Sequence, residues 1–200
     1  MVGAGLLGLR TGDPAELVVP LVPTMILWMN LLTDALPALA LGLDPPDPDV
    51  MARPPRDPRR AAITPRMWGD IAGIGTVMAV GTLLLMDRAL PGGLIAGQGS
   101  PAEAQTLAFT TLVVFQLFNV FAARSETHSA ARGLGRNPWL ILAVLVSLLL
   151  QVAVVHWPPL QRAFRTVPLS AADWLACLLV ASSVLWLGEL RKLVRRRLGA

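Results

Sequence analysis

The sequence predicts an all-α membrane protein: five transmembrane helices with short loops. Three observations carry this. First, 54% of the 200 residues are hydrophobic, only 15% are charged, and the mean hydropathy is +0.59. A soluble domain usually carries about 25% charged residues. Second, apolar runs at about 23–43, 67–86, 104–123, 138–156 and 171–188 approach or reach the roughly 17–25 residues needed to span a bilayer. Third, helix-start signatures stand before or at the start of four of these runs: Thr64–Pro65, Ser100–Pro101–Ala102–Glu103, Asn137–Pro138 and Ser170 to Asp173. The single Cys177 excludes an internal disulfide and reads most simply as a small apolar residue.

Residues 1–20 read as the end of a preceding helix and an outside loop, with a turn at Thr11–Gly12–Asp13–Pro14. Met1–Leu9 lacks a basic leader and is too short to span, so the chain looks truncated at this end. The first full span carries Asn30, Thr33 and Asp34 near its middle. On an α-helix these positions share one face. A carboxylate at that depth costs about 2.5–3.5 kcal/mol on insertion scales and is by default a functional-site hypothesis. Pro37 has no N–H for the carbonyl four residues back, that of Thr33. Amide, hydroxyl, carboxylate and free carbonyl oxygens together suit a hard cation such as calcium. The alternative makes Asn30 and Thr33 interhelical hydrogen-bonding groups and Asp34 an ion-pair partner, yet no basic residue lies at comparable depth.

The stretch from Asp44 to Arg60 is too rich in proline for regular helix or strand, and its charges run from acidic to basic. Composition alone leaves a solvated connector open. A helix–loop–helix calcium site is disfavoured, because the glycine and terminal glutamate of that pattern are missing. In the second span Gly69, Gly73 and Gly81 read as a close-packing surface, and Asp70 lies near enough to the end to reach the interface. Gly92, Gly93, Gly97 and Gly99 mark an outside loop. The third span contains Gln116 and Asn119 on one face; taken alone they read as interhelical hydrogen-bonding groups rather than ligands. Ser147 and Gln151 are the interior polar groups of the fourth span, which ends at His156–Trp157–Pro158–Pro159. The fifth span runs to about Gly188, and the basic run from Arg191 to Arg197 reads as a membrane-surface anchor.

Charge gives the orientation. Of the seventeen basic residues, one side of the predicted membrane holds only Arg10, Arg88, Arg162 and Arg165. The rest fall in 44–66, in 124–137 and in the tail, which places these in the cytoplasm and the N-terminus outside. This allocation accounts for the net charge of +4 without nucleic acid.

The run Asn30–Leu31–Leu32–Thr33–Asp34–Ala35–Leu36–Pro37–Ala38, with Asp44–Pro45–Pro46–Asp47–Pro48–Asp49–Val50–Met51 and Arg53–Pro54–Pro55–Arg56, closely resembles the sixth helix and following loop of P-type cation-transporting ATPases. The calcium-pump branch matches best. A weaker likeness continues through Phe115–Gln116–Leu117–Phe118–Asn119 to the chain end. The resemblance implies helices six to ten of a pump, with residues 21–200 its C-terminal membrane domain. It implies cation ligation by Asn30, Thr33 and Asp34, with Gln116 and Asn119 as further candidates. It also implies a loop whose Asp47, Asp49 and Arg53 couple the ion site to a phosphorylation domain. Three departures matter: Ala35 replaces a common glycine, Ala52 replaces an acid, and Gln116 stands where two-site calcium pumps have glutamate. The last points to a one-ion branch and leaves manganese open beside calcium. No Asp-Lys-Thr-Gly-Thr motif or nucleotide-binding domain is present. The expected role is therefore a membrane segment with no catalytic residue of its own, requiring ATP and magnesium only through the missing domains. Its expected partners are the lipid bilayer, the cation and the catalytic part of a pump. A stand-alone, non-transporting membrane scaffold or regulatory fragment is the alternative.

Overall fold

The computed structural model describes residues 21–45, 51, 64–90, 99–124 and 137–197. The pieces expected at 1–20 and the loop positions Asp47, Asp49 and Arg53 lie outside the described residues. The first span divides into α1 (Pro23–Trp28), a π-helical segment (Met29–Ala35) and α2 (Leu36–Gly42). Then follow α3 (Pro65–Ala89), α4 (Pro101–Ala123), α5 (Pro138–His156), α6 (Pro158–Phe164) and α7 (Ala171–Arg197). Five of these stretches are long and apolar enough to cross a membrane: Pro23–Gly42, Met67–Ala89, Pro101–Ala123, Pro138–His156 and Ala171–Val194. Among the described residues there is no strand, so the protein is an all-α, multi-pass membrane protein.

The helix starts are set by side chains. Thr64 Oγ1 accepts from the Met67 amide at 3.3 Å, Ser100 Oγ from Glu103 at 3.2 Å and Asn137 Oδ1 from Leu140 at 3.1 Å. At α7 the capping box closes both ways: the Asp173 amide donates to Ser170 Oγ at 3.2 Å, and the Ser170 amide donates to Asp173 Oδ2 at 3.0 Å. Each cap satisfies an amide that hydrocarbon would leave orphaned.

α4 is the most deeply buried of the spans, and its two sides serve two groups of helices. Phe109, Val113 and Leu117 pack with Met25 and Met29 of the first span and Val154 of α5. On the other side Val114 and Phe115 meet Ala181 and Val184 of α7, while Ala104 and Ala108 join Leu85 and Met86 of α3. Between lipid-immersed helices such packing supplies the attraction that the hydrophobic effect supplies in water.

Three readings need correction. The short helix α6 was not expected after His156; Pro158 occupies its first turn, and it ends at Arg165 with a left-handed φ of 56°. α7 runs through Gly188, where a Cβ would stand 3.4 Å from that of Ala122, and continues to Arg197. The three glycines of α3 do not act alike. A Cβ on Gly81 would stand 2.8 Å from both Phe115 and Val180, one on Gly73 would meet the Arg191 guanidinium, and one on Gly69 would meet nothing within 4 Å.

Gly81→Ala is expected to destabilise the helical bundle by about 1 kcal/mol or more, because buried Phe115 has little room to yield. Gly69→Ala should stay within about 0.5 kcal/mol of the parent or stabilise it slightly. Unfolding of the detergent-solubilised chain followed by circular dichroism measures both.

Candidate functional site

The site candidate is the middle of the first span, where the helix leaves the α register. In the α register Pro37 would deny a partner to the Thr33 carbonyl, as the sequence suggested. In the π register, where each amide bonds the carbonyl five back, the residue denied is Leu32. That carbonyl is not left free. The Ser147 hydroxyl of α5 donates to it at 3.2 Å.

Burial sets Thr33 apart from Asn30 and Asp34. Thr33 is 1% exposed and turns into the bundle. Its hydroxyl donates to the Met29 carbonyl at 2.6 Å and lies in hydrogen-bond contact with Gln116 Oε1. A hydroxyl has one hydrogen, so it serves one of these acceptors at a time. Asn30 and Asp34 are exposed, and among the described residues neither side chain has a hydrogen-bond partner. Asn119 is half-buried on α4 and makes no hydrogen bond with the Asn30–Asp34 segment. The structure thus joins Thr33 to Gln116 and keeps Asn30 with Asp34. No group of three or more His, Cys, Asp or Glu that could hold a metal occurs among the described residues.

Two further polar contacts hold this segment, and sequence reading assigned them no role. Trp28, just before the π turn, donates its indole N–H to Gln151 Oε1 at 3.2 Å, and Gln151 Nε2 donates to Thr110 at 3.3 Å. At the other end the carboxylate of Asp44 accepts from Arg124 Nε at 2.8 Å and from Asn137 Nδ2 at 3.1 Å. Asn137 Nδ2 also donates to the Ala40 carbonyl at 2.8 Å, in the last turn of α2. One asparagine therefore caps α5 and closes the end of the first span. The signal available in sequence was only the capping role.

Other singled-out residues lie elsewhere. Asp70 pairs with Arg191 at 3.4 Å, His156 accepts the Trp174 indole N–H at 3.2 Å, and Cys177 is buried against Thr111. Lys192 donates to the Ala122 carbonyl at 3.3 Å, closing the end of α4.

Asn137→Ala removes the cap on Leu140 and the donations to Ala40 and Asp44 together. The expected loss is about 2 kcal/mol. Asn137→Ser, which keeps a cap but lacks the amide donors, should fall between. Thermal unfolding of the purified chain in detergent ranks the three proteins.

The model for "Cation transporting ATPase, C-terminus" matches residues 18–194. A calcium-transporting ATPase of Bacillus subtilis (strain 168) is 43% identical over 162 residues, covering 80% of this chain and 17% of the relative. Calcium-transporting ATPase type 2C member 2 of Rattus norvegicus is 38% identical over 178 residues, 88% of this chain and 18% of its own length. Calcium-transporting ATPase 1 of Yarrowia lipolytica is 37% identical over 174 residues, 86% and 18% respectively. The chain thus spans less than a fifth of the length of these relatives. With the family model covering most of its length, the chain belongs to the C-terminal membrane region of the cation-transporting ATPases.

Proposed function

We propose that this chain is the C-terminal membrane part of a calcium-transporting P-type ATPase, in which Asn30 and Asp34 contribute oxygen ligands to the transported cation and Thr33, buried against Gln116, supports that segment. The observation that carries this reading is the π segment. It presents an amide and a carboxylate at mid-span on a side of the helix where the described chain supplies no partner. Calcium wants six to eight oxygens, so the remaining ligands would come from helices that pack on that open side. The names of the three relatives, all calcium-transporting, favour calcium as cargo, with manganese the competing ion. ATP and magnesium would act in the catalytic part that completes the pump, and the loop carrying Asp47, Asp49 and Arg53 would connect that part to the cation site. Gln116 would act from behind, by holding Thr33. Asn119 has a weaker claim, since among the described residues no hydrogen bond ties it to the other candidates.

The orientation proposed is N-terminus outside and C-terminus in the cytoplasm. It rests on the basic residues, and it is supported by the way Asp44, Arg124 and Asn137 gather at one end of the bundle, as flanks of loops on one side must.

Asp34→Asn keeps the shape and removes the carboxylate. In a pump completed with its catalytic part, calcium-dependent phosphoenzyme formation should then need at least about tenfold more calcium, equal to about 1.4 kcal/mol. Membrane insertion should be unimpaired, because neutralising a buried acid lowers the insertion cost. Unchanged calcium dependence in Asp34→Asn would show that this residue is structural. For orientation, Arg59→Cys in a background lacking Cys177 should react with an impermeant maleimide only after the cells are opened. Labelling of intact cells reverses the assignment.

A further inference from the structure

Ser147 and Gln151 stand four residues apart on one face of α5, and both are fully buried. Polar groups in a membrane helix often serve as unselective interhelical contacts, and a serine commonly donates to a carbonyl of its own helix one turn back. Neither description fits. Ser147 reaches across to a backbone atom, the Leu32 carbonyl, and Gln151 reaches across to Trp28. These two points bracket the first half of the π segment Met29–Ala35. The indole N–H only donates, so it fixes the Gln151 amide with Oε1 toward Trp28 and leaves Nε2 for Thr110.

We propose that Ser147 and Gln151 are positioning residues that hold the first span in its π register and so set where Asn30 and Asp34 stand. This rests on the reading of those two residues as cation ligands. The choice of register turns on one carbonyl. In the π register the Leu36 amide serves Leu31, and the amide that would serve Leu32 is missing at Pro37. Without the Ser147 hydroxyl the Leu32 carbonyl is orphaned in hydrocarbon. The α register would instead leave the Thr33 carbonyl unserved at Pro37, so without Ser147 the π register loses its advantage and the turn is free to rewind toward α. That rewinding would turn Asn30 and Asp34 relative to α4 and α5 and disturb the contact of Thr33 with Gln116. Ser147 therefore favours the arrangement in which Thr33 faces inward while Asn30 and Asp34 face the open side. Gln151 fixes the approach of α1 to this turn through Trp28, whose ring also meets Phe164 edge-on at 4.9 Å.

The test uses Ser147→Ala, with Ser147→Thr as the conservative variant that keeps the donor. Should Ser147→Ala fail to accumulate, Ser147→Cys replaces it, having similar volume and only a weak donor. Two readouts are taken. In this chain, in lipid nanodiscs, amide hydrogen exchange should rise at residues 33–36 in Ser147→Ala, stay unchanged in α4, and return to the parent rate in Ser147→Thr. In the pump completed with its catalytic part, Ser147→Ala should weaken apparent calcium affinity about tenfold, as loss of a group supporting a metal ligand does, at an unchanged maximal phosphoenzyme level per protein. Ser147→Thr should restore the affinity. A merely structural role would lower the maximal level and leave the calcium dependence alone; that result, or parent-like exchange at 33–36, overturns the proposal. If the unsubstituted pump shows no calcium-dependent phosphoenzyme, the transport reading fails, while exchange at 33–36 still decides whether Ser147 holds the register.

Discussion

A membrane-spanning helix must satisfy its own backbone, and the first span cannot. Pro37 withdraws one amide, the wider turn over Met29–Ala35 redistributes the rest, and the Leu32 carbonyl is left without a partner from its own helix. In water this would cost little, since solvent would bond the oxygen. In hydrocarbon an unsatisfied group costs several kcal/mol, so the irregular segment persists only where protein surrounds it. The Ser147 hydroxyl meets that need. Much of the arrangement around the first span follows from it: α5 must lie close to the π turn, and the segment must keep its buried side toward α4 and α5.

The polar contacts are distributed in a way that serves this constraint. At one end of the bundle Asp44, Arg124 and Asn137 fasten the end of α2 to α4 and α5, while Arg191 and Lys192 fasten α7 to α3 and α4. At the other end Thr166 donates to the Val154 carbonyl at 2.7 Å, and the Val167 amide donates to Thr106 at 3.1 Å. Between them lie apolar contacts made chiefly through α4. The first span is thus tied to its neighbours at Ala40 and Asp44 and, before the π segment, at Trp28. The departure from α-helical regularity between these ties is confined to the seven residues that carry Asn30, Thr33 and Asp34.

Five spans were legible because apolar run length and cap chemistry are local, and both are written directly in residues such as Thr64, Ser100, Asn137 and Ser170. Asn30, Thr33 and Asp34 were legible as candidates because polar groups at mid-membrane are costly. Their arrangement was not. The sequence suggested a common face, which burial divides, and a free Thr33 carbonyl, which assumes an α register, whereas the register is held by Ser147 and Gln151, more than a hundred residues away. The same limit explains the glycines of α3. Spacing shows that Gly69, Gly73 and Gly81 recur on a helix, but only the tertiary neighbours show that Gly81 admits Phe115, Gly73 admits Arg191 and Gly69 faces open space. The helix α6 escaped notice because Pro158–Pro159 reads equally as an ending and as a first turn.

The identity of residue 116 acquires a meaning that spacing alone did not give it. A neutral amide can sit against the Thr33 hydroxyl without adding charge to a region that already holds the Asp34 carboxylate. A glutamate there would place a second negative charge in the same low-dielectric region, tolerable only with additional positive charge to offset it. The described chain offers none at that depth: its buried cation Lys192 and its paired Arg124 both lie at helix ends. On the proposed reading, Gln116 suits a site built around one acidic group from this chain, with Thr33 held inward as a support and Asn30 and Asp34 as the ligands. On that reading the buried Thr33 serves packing, while the exposed Asn30 and Asp34 serve ion chemistry.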